Sequence, residues 1–429
     1  MKVLLITYYW PPAGGPGVQR WLNFVKYLKE FGIEPIVYIP ENPTYPLEDS
    51  SLVSEIPEGI TILKQPIFEP YRFANLFAKK ETKTISKGII PKKGKQSLIQ
   101  RMLLYIRGNF FIPDARKFWI QPSVKYLKGY IVDNEIHTII TTGPPHSVHL
   151  IGKELKNQLP IKWVADFRDP WTTIGYHKQL KLSNRSKMMH QRMEKEVLQS
   201  ADQLLVTSFT TKIEFREITK RPISVITNGY DHEVMANTPL DQNFTISHIG
   251  SLLSGRNPKQ LWRVLQNLVQ ESTDFATFFR LQLVGAVSED VLFSIKEAGL
   301  SDFLDLSGYV SHQDAIRIQS SSQLLLLIEI DSPETRCIIP GKIFEYMVAK
   351  RPILAIGPKG ADISKLIEET NTGRFFEYHE YDQLKKQLLD YFQKFKQKEL
   401  LVSTTGIEKY SRRELTRELS EVLKKTINF

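Results

Sequence analysis

The chain has 429 residues, 41% of them hydrophobic and 24% charged, with 23 glycines and 24 prolines. This composition excludes a disordered or collagen-like chain and suffices for about two domains with cores of their own. Its one cysteine, Cys337, excludes an internal disulfide and a multi-cysteine zinc site, and 57 Lys and Arg against 47 Asp and Glu leave it basic.

The first predicted element is a buried parallel strand, Lys2-Val-Leu-Leu-Ile-Thr-Tyr8, too short an apolar core for a signal peptide and without its small-residue cleavage site. No apolar run reaches the roughly 20 residues of a membrane span, so the expected location is the cytoplasm. A loop, Pro11-Pro-Ala-Gly-Gly-Pro-Gly17, leads to an amphipathic helix from about Val18 to Phe31. Gly32 stops that helix, and a strand follows at Pro35–Ile39, completing a βαβ unit.

Between Leu76 and Lys128 stand 13 basic residues and two acids, Glu81 and Asp114, a local charge of +11. Large apolar residues thread the same stretch: Leu98, Ile99, Met102 to Ile106, Phe110, Phe111, Phe118 and Trp119. The mixture suits an anionic membrane surface, where each nearby cation contributes about 1 kcal/mol. It is also what a solvated loop ahead of a core helix would show. No zinc-finger, RNP or helix-turn-helix pattern supports nucleic-acid binding.

Strand and helix then alternate. A strand at His137–Thr142 runs through Gly143-Pro-Pro-His146 into a helix ending near Gln158. A second, Lys162–Asp166, ends in Phe167-Arg-Asp-Pro-Trp171, and a polar helix spans about Ser183 to Ser200. Strands at Gln203–Thr207 and Ile223–Ile226 lead to the turn Thr227-Asn-Gly-Tyr-Asp231. After a polar boundary near 235–243 the series resumes with a strand at Phe244–Ile249, a loop to Asn257 and a helix at Pro258–Glu271. Further strands are expected at Phe279–Val284, Leu304–Ser307, Leu324–Ile328 and Pro352–Ile356, and a last helix at about Gly406–Lys425.

The expected fold class is α/β, with two Rossmann-like, doubly wound domains facing across a cleft: residues 1–236 and 237–405, and a terminal helix, 406–429, that packs back across either half. No Gly-x-Gly-x-x-Gly follows any strand, and Gly14-Gly15-Pro16-Gly17 lacks the Gly-Lys-Ser/Thr of a P-loop.

The richest stretch is Pro340-Gly-Lys-Ile-Phe-Glu-Tyr-Met-Val-Ala-Lys-Arg-Pro-Ile-Leu-Ala355. A helix opening at Pro340-Gly341 favours an anion such as a diphosphate at its N-terminus, and Lys342 adds a full charge. Glu345, at i+3, can face the same ligand and accept hydrogen bonds from ribose hydroxyls. The alternative is a capped surface helix carrying a local ion pair.

With these residues in place, nearly the whole chain resembles the glycosyltransferases of the GT-B fold, in particular the large retaining family 4. The resemblance rests on Tyr8-Tyr-Trp-Pro-Pro-Ala-Gly-Gly15, on Val225-Ile-Thr-Asn-Gly-Tyr-Asp231 and on the Lys342/Glu345 helix with Arg351-Pro-Ile353 after it. It implies that Gly15 lies near donor phosphates and acceptor, and that Glu345 meets the ribose. Family members carry a further glutamate eight positions earlier that contacts the transferred sugar; Cys337 stands there instead, which leaves Glu334 as a substitute or the activity altered.

In Gly250-Ser-Leu-Leu-Ser-Gly-Arg256-Asn-Pro-Lys259 the resemblance implies a glycine loop with a basic residue for the pyrophosphate, Arg256 foremost and Lys259 next. Tyr309, in Gly308-Tyr-Val310, falls where the family holds the nucleobase and could stack on it or pack between domains. His146 falls near the histidine that relatives place beside the sugar. Asp169 and Arg168 could orient an acceptor hydroxyl and a phosphate or form a structural ion pair, with Asp114 and Arg116 as further acceptor-side candidates.

No His/Asp/Glu group has metal-ligand spacing, and neither metal nor cofactor is expected, since helix ends and cations neutralise the leaving diphosphate. The expected activity is transfer of a sugar from a nucleoside diphosphate sugar to a glycan acceptor, lipid-linked in cell-surface polysaccharide or lipopolysaccharide assembly, by a protein peripheral to an anionic membrane through residues 76–128. The rivals are a nucleotide-sugar epimerase of the same fold and a catalytically silent glycan- or nucleotide-binding protein.

Overall fold

The structure, a computed structural model, describes residues 1–70, 98–175, 177–231 and 238–427. Lys79, Lys80, Lys83, Lys87, Lys92, Lys93 and Lys95 of the basic stretch lie outside the described residues, as does part of the expected boundary at 235–243. The chain forms two compact units, Met1–Asn228 with Arg412–Phe429, and Gly229–Ser411.

The first unit runs β1 (Lys2–Thr7), α1 (Pro16–Leu28), β2 (Glu34–Pro40), β3 (Thr61–Gln65), α2 (Leu98–Phe110), α3 (Ile120–Asp133), β4 (Thr138–Gly143), α4 (Ser147–Gln158), β5 (Lys162–Phe167), α5 (Asn184–Ser200), β6 (Gln203–Val206), α6 (Phe209–Arg216) and β7 (Ile223–Val225). Its sheet order is β3-β2-β1-β4-β5-β6-β7, parallel throughout. Helices cover both faces, so the central strands are buried on both sides: β1 reads as an apolar run, and β4 and β5 bury Thr138, Thr141, Thr142 and Asp166 among their apolar residues. Leu4 and Ile6 belong to one core, with Trp163 and Phe167; Val3 and Leu5 belong to the other, with Trp21 and Val25.

The second unit runs β8 (Phe244–Ile249), α7 (Lys259–Glu271), α8 (Thr273–Phe278), β9 (Phe279–Val284), α9 (Glu289–Glu297), β10 (Leu304–Gly308), α10 (His312–Ser321), β11 (Leu324–Ile328), α11 (Lys342–Val348), β12 (Ile353–Gly357), α12 (Asp362–Thr370), β13 (Gly373–Glu377) and α13 (Tyr381–Lys396). Its sheet, also all parallel, has the order β10-β9-β8-β11-β12-β13. The chain ends in α14 (Arg412–Ile427), which begins six residues later than its sequence suggests because a single 3₁₀ turn, Ile407–Tyr410, precedes it. Leu415, Leu419 and Leu423, one helical turn apart, bury α14 in the first unit beside α1.

In both sheets the strand order reverses once, between β1 and β4 and between β8 and β11. At such a reversal successive crossovers leave to opposite faces and open a crevice at the carboxyl ends of the two strands. Gly15, His146, Gly250, Arg256 and Lys342 lie after these strands, whereas Arg168 and Asp169 follow β5 and Tyr309 follows β10.

Candidate functional site

In the second unit β8 delivers Gly250 and β11 delivers Glu329. Gly250 has φ +115°, and a Cβ there would lie 2.7 Å from the Lys342 Nζ. Gly285, after β9, has φ +112°, and its Cβ would press within 2.9 Å of the Gly250 carbonyl. Backbone conformation disfavours a side chain at both positions, and at Gly285 the Gly250 backbone leaves no room for one, which leaves the strand ends bare.

The first residue of α11 supplies the Lys342 ammonium. The Tyr346 hydroxyl, one turn on, accepts from the Ile249 amide at 2.9 Å and ties α11 to the end of β8. With only seven residues, α11 has a small dipole, so the side-chain cation dominates its first turn.

The ammonium lies 3.5 Å from Nε2 of His248, a buried residue of β8 whose Nδ1 is 2.9 Å from the Leu326 carbonyl. Nδ1 therefore carries the ring proton, and Nε2 offers Lys342 a lone pair. Burial, and then the charge of Lys342, hold the His248 pKa well below its ordinary value, so the ring is neutral. Burial lowers the Lys342 pKa to about 8, against the pull of Glu329 and Glu345 and with Arg256 adding to the effect.

Arg256 donates from Nη2 to Glu329 Oε2 at 3.2 Å. Glu329 is 3% exposed, and burial raises its pKa. Glu345, half-buried one turn from Lys342, accepts from Gln319 Nε2 on α10 at 3.0 Å. Gly250, Arg256 and Lys342 thus converge, with Glu345 beside them. Lys259 is exposed at the start of α7 and Tyr309 is 96% exposed after β10; neither makes a hydrogen bond or ion pair with this group. Cys337 is half-buried in the turn before α11, with Sγ 3.7 Å from the Glu334 carbonyl.

In the first unit Gly15, with φ +105°, caps α1 after the β1 loop. Below it Asp166 is fully engaged: it accepts from Arg20 at 3.0 Å, from Trp21 Nε1 at 2.7 Å and from Thr142 Oγ1 at 2.8 Å, fastening α1 to the sheet. Arg168, after β5, donates from Nε to the Gly143 carbonyl at 3.3 Å and from Nη2 to the Pro144 carbonyl. Its guanidinium lies 5.8 Å from the Tyr9 ring.

Asp169, next along, makes no hydrogen bond or ion pair among the described residues, and burial raises its pKa against the pull of Arg168. Glu194 holds this loop by accepting from the amides of Trp171 and Thr172, both at 3.2 Å.

His146 caps α4 and stacks on Trp171, centroids 4.6 Å apart and planes within 2°. It is 5% exposed, and neither ring nitrogen has a hydrogen-bond partner among the described residues. Burial first, then the neighbouring His149, His177, His190 and Arg168, hold it neutral.

Asp114 caps the same helix by accepting from Ser147 N and Oγ, both at 2.9 Å. Arg116 pairs with Glu69 at 3.2 Å beneath Tyr8, whose hydroxyl donates to Glu69 at 2.7 Å. Arg116 was a candidate from the sequence and Tyr8 opens the quoted loop, but their partner Glu69, and Glu329 and His248 in the second unit, were not singled out. Glu69 and Arg116 are 47 positions apart and no local pattern joins them. Glu329 carried one signal, an acid directly after a five-residue apolar strand.

No family model and no curated protein matches this sequence. Among solved structures, a glycosyltransferase from Rickettsia africae aligns with a TM-score of 0.62 at 15% identity, covering 99% of each chain. The lipopolysaccharide outer core galactosyltransferase WaaB aligns at 0.60 and 13%, again over 99% of each. A protein described as a UDP-N-acetylglucosamine 2-epimerase, from Listeria monocytogenes, aligns at 0.55 and 11%, over 100% of this chain and 97% of the other. At these identities the likeness defines the fold: the chain has the two-Rossmann architecture of GT-B glycosyltransferases, as expected.

Proposed function

We propose that this protein transfers a sugar from a nucleoside diphosphate sugar to a glycan acceptor. The observation that carries the reading is the convergence of Lys342 and Arg256 at the side-chain-free strand ends of Gly250 and Gly285, where the sheet order reverses. Two cations beside exposed backbone suit a diphosphate, and each charge-assisted bond is worth about 1.5–3 kcal/mol. Glu345 is within reach of the ribose, and Tyr309 is free to stack on the base.

The cations neutralise the leaving diphosphate, the work a metal ion does elsewhere, so the transfer runs without one. Among the described residues no group of three or more His, Cys, Asp or Glu could hold a metal ion. In a retaining reaction the leaving phosphate takes the proton of the incoming hydroxyl, and the protein supplies position and charge. His146, Arg168 and Asp169 serve the acceptor side, where Asp169 has a carboxylate to spare for a hydroxyl.

The acceptor is lipid-linked, as the name of the galactosyltransferase WaaB suggests by analogy, and the protein works at an anionic membrane surface. Phe68, Met102, Tyr105, Phe110 and Phe118 are exposed around α2 and the turn after it, with the Lys117 ammonium 5.3 Å from the Phe118 ring. Phenyl rings beside a cation suit the headgroup boundary. No helix among the described residues is long and apolar enough to cross a membrane.

The test is incubation with a panel of sugar nucleotides, with and without membrane extract as acceptor source. Nucleoside diphosphate release that rises with acceptor supports transfer. Interconversion of two sugar nucleotides supports an epimerase, and no turnover with tight nucleotide binding supports a silent binding protein.

A further inference from the structure

Glu329 is a buried acid where the reading above wants a phosphate. Its backbone is fixed by its own amide, which donates to the Ile356 carbonyl at 2.8 Å, and by its carbonyl, which accepts from the Tyr378 hydroxyl at 2.7 Å. The side chain stands after β11, the strand beside β8 at the reversal of sheet order. It therefore shares that end of the sheet with Gly250 and meets the same two cations, Arg256 by a 3.2 Å hydrogen bond and Lys342 by charge.

We propose that Glu329 stands in for the donor's diphosphate: its carboxylate holds Arg256 in position by their hydrogen bond and offers Lys342 a counter-charge until the phosphates arrive and take both cations from it. The proposal rests on the donor-site reading and adds a positioning residue to it. Two cations sharing a poorly solvated place repel one another, and Arg256 favours loss of the Lys342 proton. A carboxylate between them offsets that repulsion.

A carboxylate is a monoanion, whereas a diphosphate is more highly charged and offers several acceptor oxygens. The exchange therefore favours the ligand, while Glu329 becomes the group left without a cation. The other groups facing this place are neutral His248, Glu345 one turn along α11, and the Tyr378 hydroxyl with Asp331 beside it.

The test is calorimetric titration of inorganic pyrophosphate into the full chain and into Glu329→Gln at about pH 6.5 and at about pH 8.5, with a melting curve to show that each is folded. With the competing anion removed, Glu329→Gln is expected to bind about three- to tenfold more tightly near pH 6.5. Its advantage shrinks at the higher pH, because Lys342 without the carboxylate sheds its proton below the value of about 8 it has in the parent. Glu329→Asp, which keeps the charge, is expected to stay within about twofold of the parent throughout.

If the amide variant does not fold, Glu329→Ala gives the same comparison. Equal weakening of Glu329→Gln or Glu329→Ala at both pH values, or no change at either, overturns the stand-in role while the parent's binding keeps the donor site. Failure of the parent to bind pyrophosphate, UDP, GDP or ADP overturns the donor site itself, and the proposal with it.

Discussion

Lys342 reaches the end of β8 because Tyr346, one turn on, hydrogen-bonds the last residue of that strand. The ammonium has a pKa of about 8 in the protein alone, and a bound diphosphate raises it by favouring the charged form. Diphosphate affinity is therefore predicted to be full below about pH 8 and to weaken above it by up to about tenfold per pH unit, a slope that titration calorimetry would show and that Lys342→Met would abolish.

Arg256→Ala is expected to cost about 10- to 100-fold in nucleoside diphosphate affinity, the loss of one charge-assisted contact. Unchanged affinity would remove Arg256 from the site. Lys342 and Glu345 were singled out in the sequence by a helix start, and Arg256 by the resemblance of its glycine loop to that of the family. Glu329 was not, because its importance comes from strand order, and which strand lies next to β8 is decided by the whole sheet.

Elements in this chain are held by a few buried polar fasteners as well as by apolar faces. Asp166, at the end of β5, gathers Arg20 and Trp21 of α1. Asp166→Asn leaves the guanidinium of Arg20, 1% exposed, without its counter-charge, and a loss of about 3–5 kcal/mol is expected in urea denaturation. Leu419→Ala in α14 should lose about 2–5 kcal/mol in the same transition, since α14 buries its leucines in the first unit's core. A separate transition for α14 would contradict that packing.

Leu324–Ile328, buried on both faces, was legible to within a residue as an unbroken apolar run, and Phe244–Ile249 by Phe244 and Ile246 at alternate positions, although Thr245, Ser247 and His248 are buried there too. β3 and β13 were not. Thr61-Ile-Leu-Lys-Gln65 and Gly373-Arg-Phe-Phe-Glu377 lie at sheet edges, are only partly covered, and carry polar residues that hide their pattern.

At the scale of the molecule, two units of the same α/β kind arise from one repeated local rule: strand, loop, helix, parallel strand. The fold class was readable from that alternation; the polar stretch suggested a boundary near 235–243, whereas the two units divide between Asn228 and Gly229, and the last helix, expected to pack back on one half or the other, belongs to the first unit. If cations do the work of a metal, excess chelator is predicted to leave sugar transfer unchanged; a loss restored by Mg²⁺ would show otherwise. Replacing Phe110 and Phe118 by serine should weaken binding to vesicles containing phosphatidylglycerol about tenfold or more, with little change in sugar-nucleotide hydrolysis.

The central claim is that the second unit holds a nucleoside diphosphate at its β8 and β11 ends. The most direct measurement is a crystal structure of the protein soaked with the nucleoside diphosphate that raises its melting temperature most. The account predicts phosphate oxygens within hydrogen-bonding distance of Lys342 and Arg256, with the ribose on Glu345 and Glu329 released from Arg256. A nucleotide bound away from these residues, or one whose phosphates leave the Arg256–Glu329 pair untouched, would contradict it.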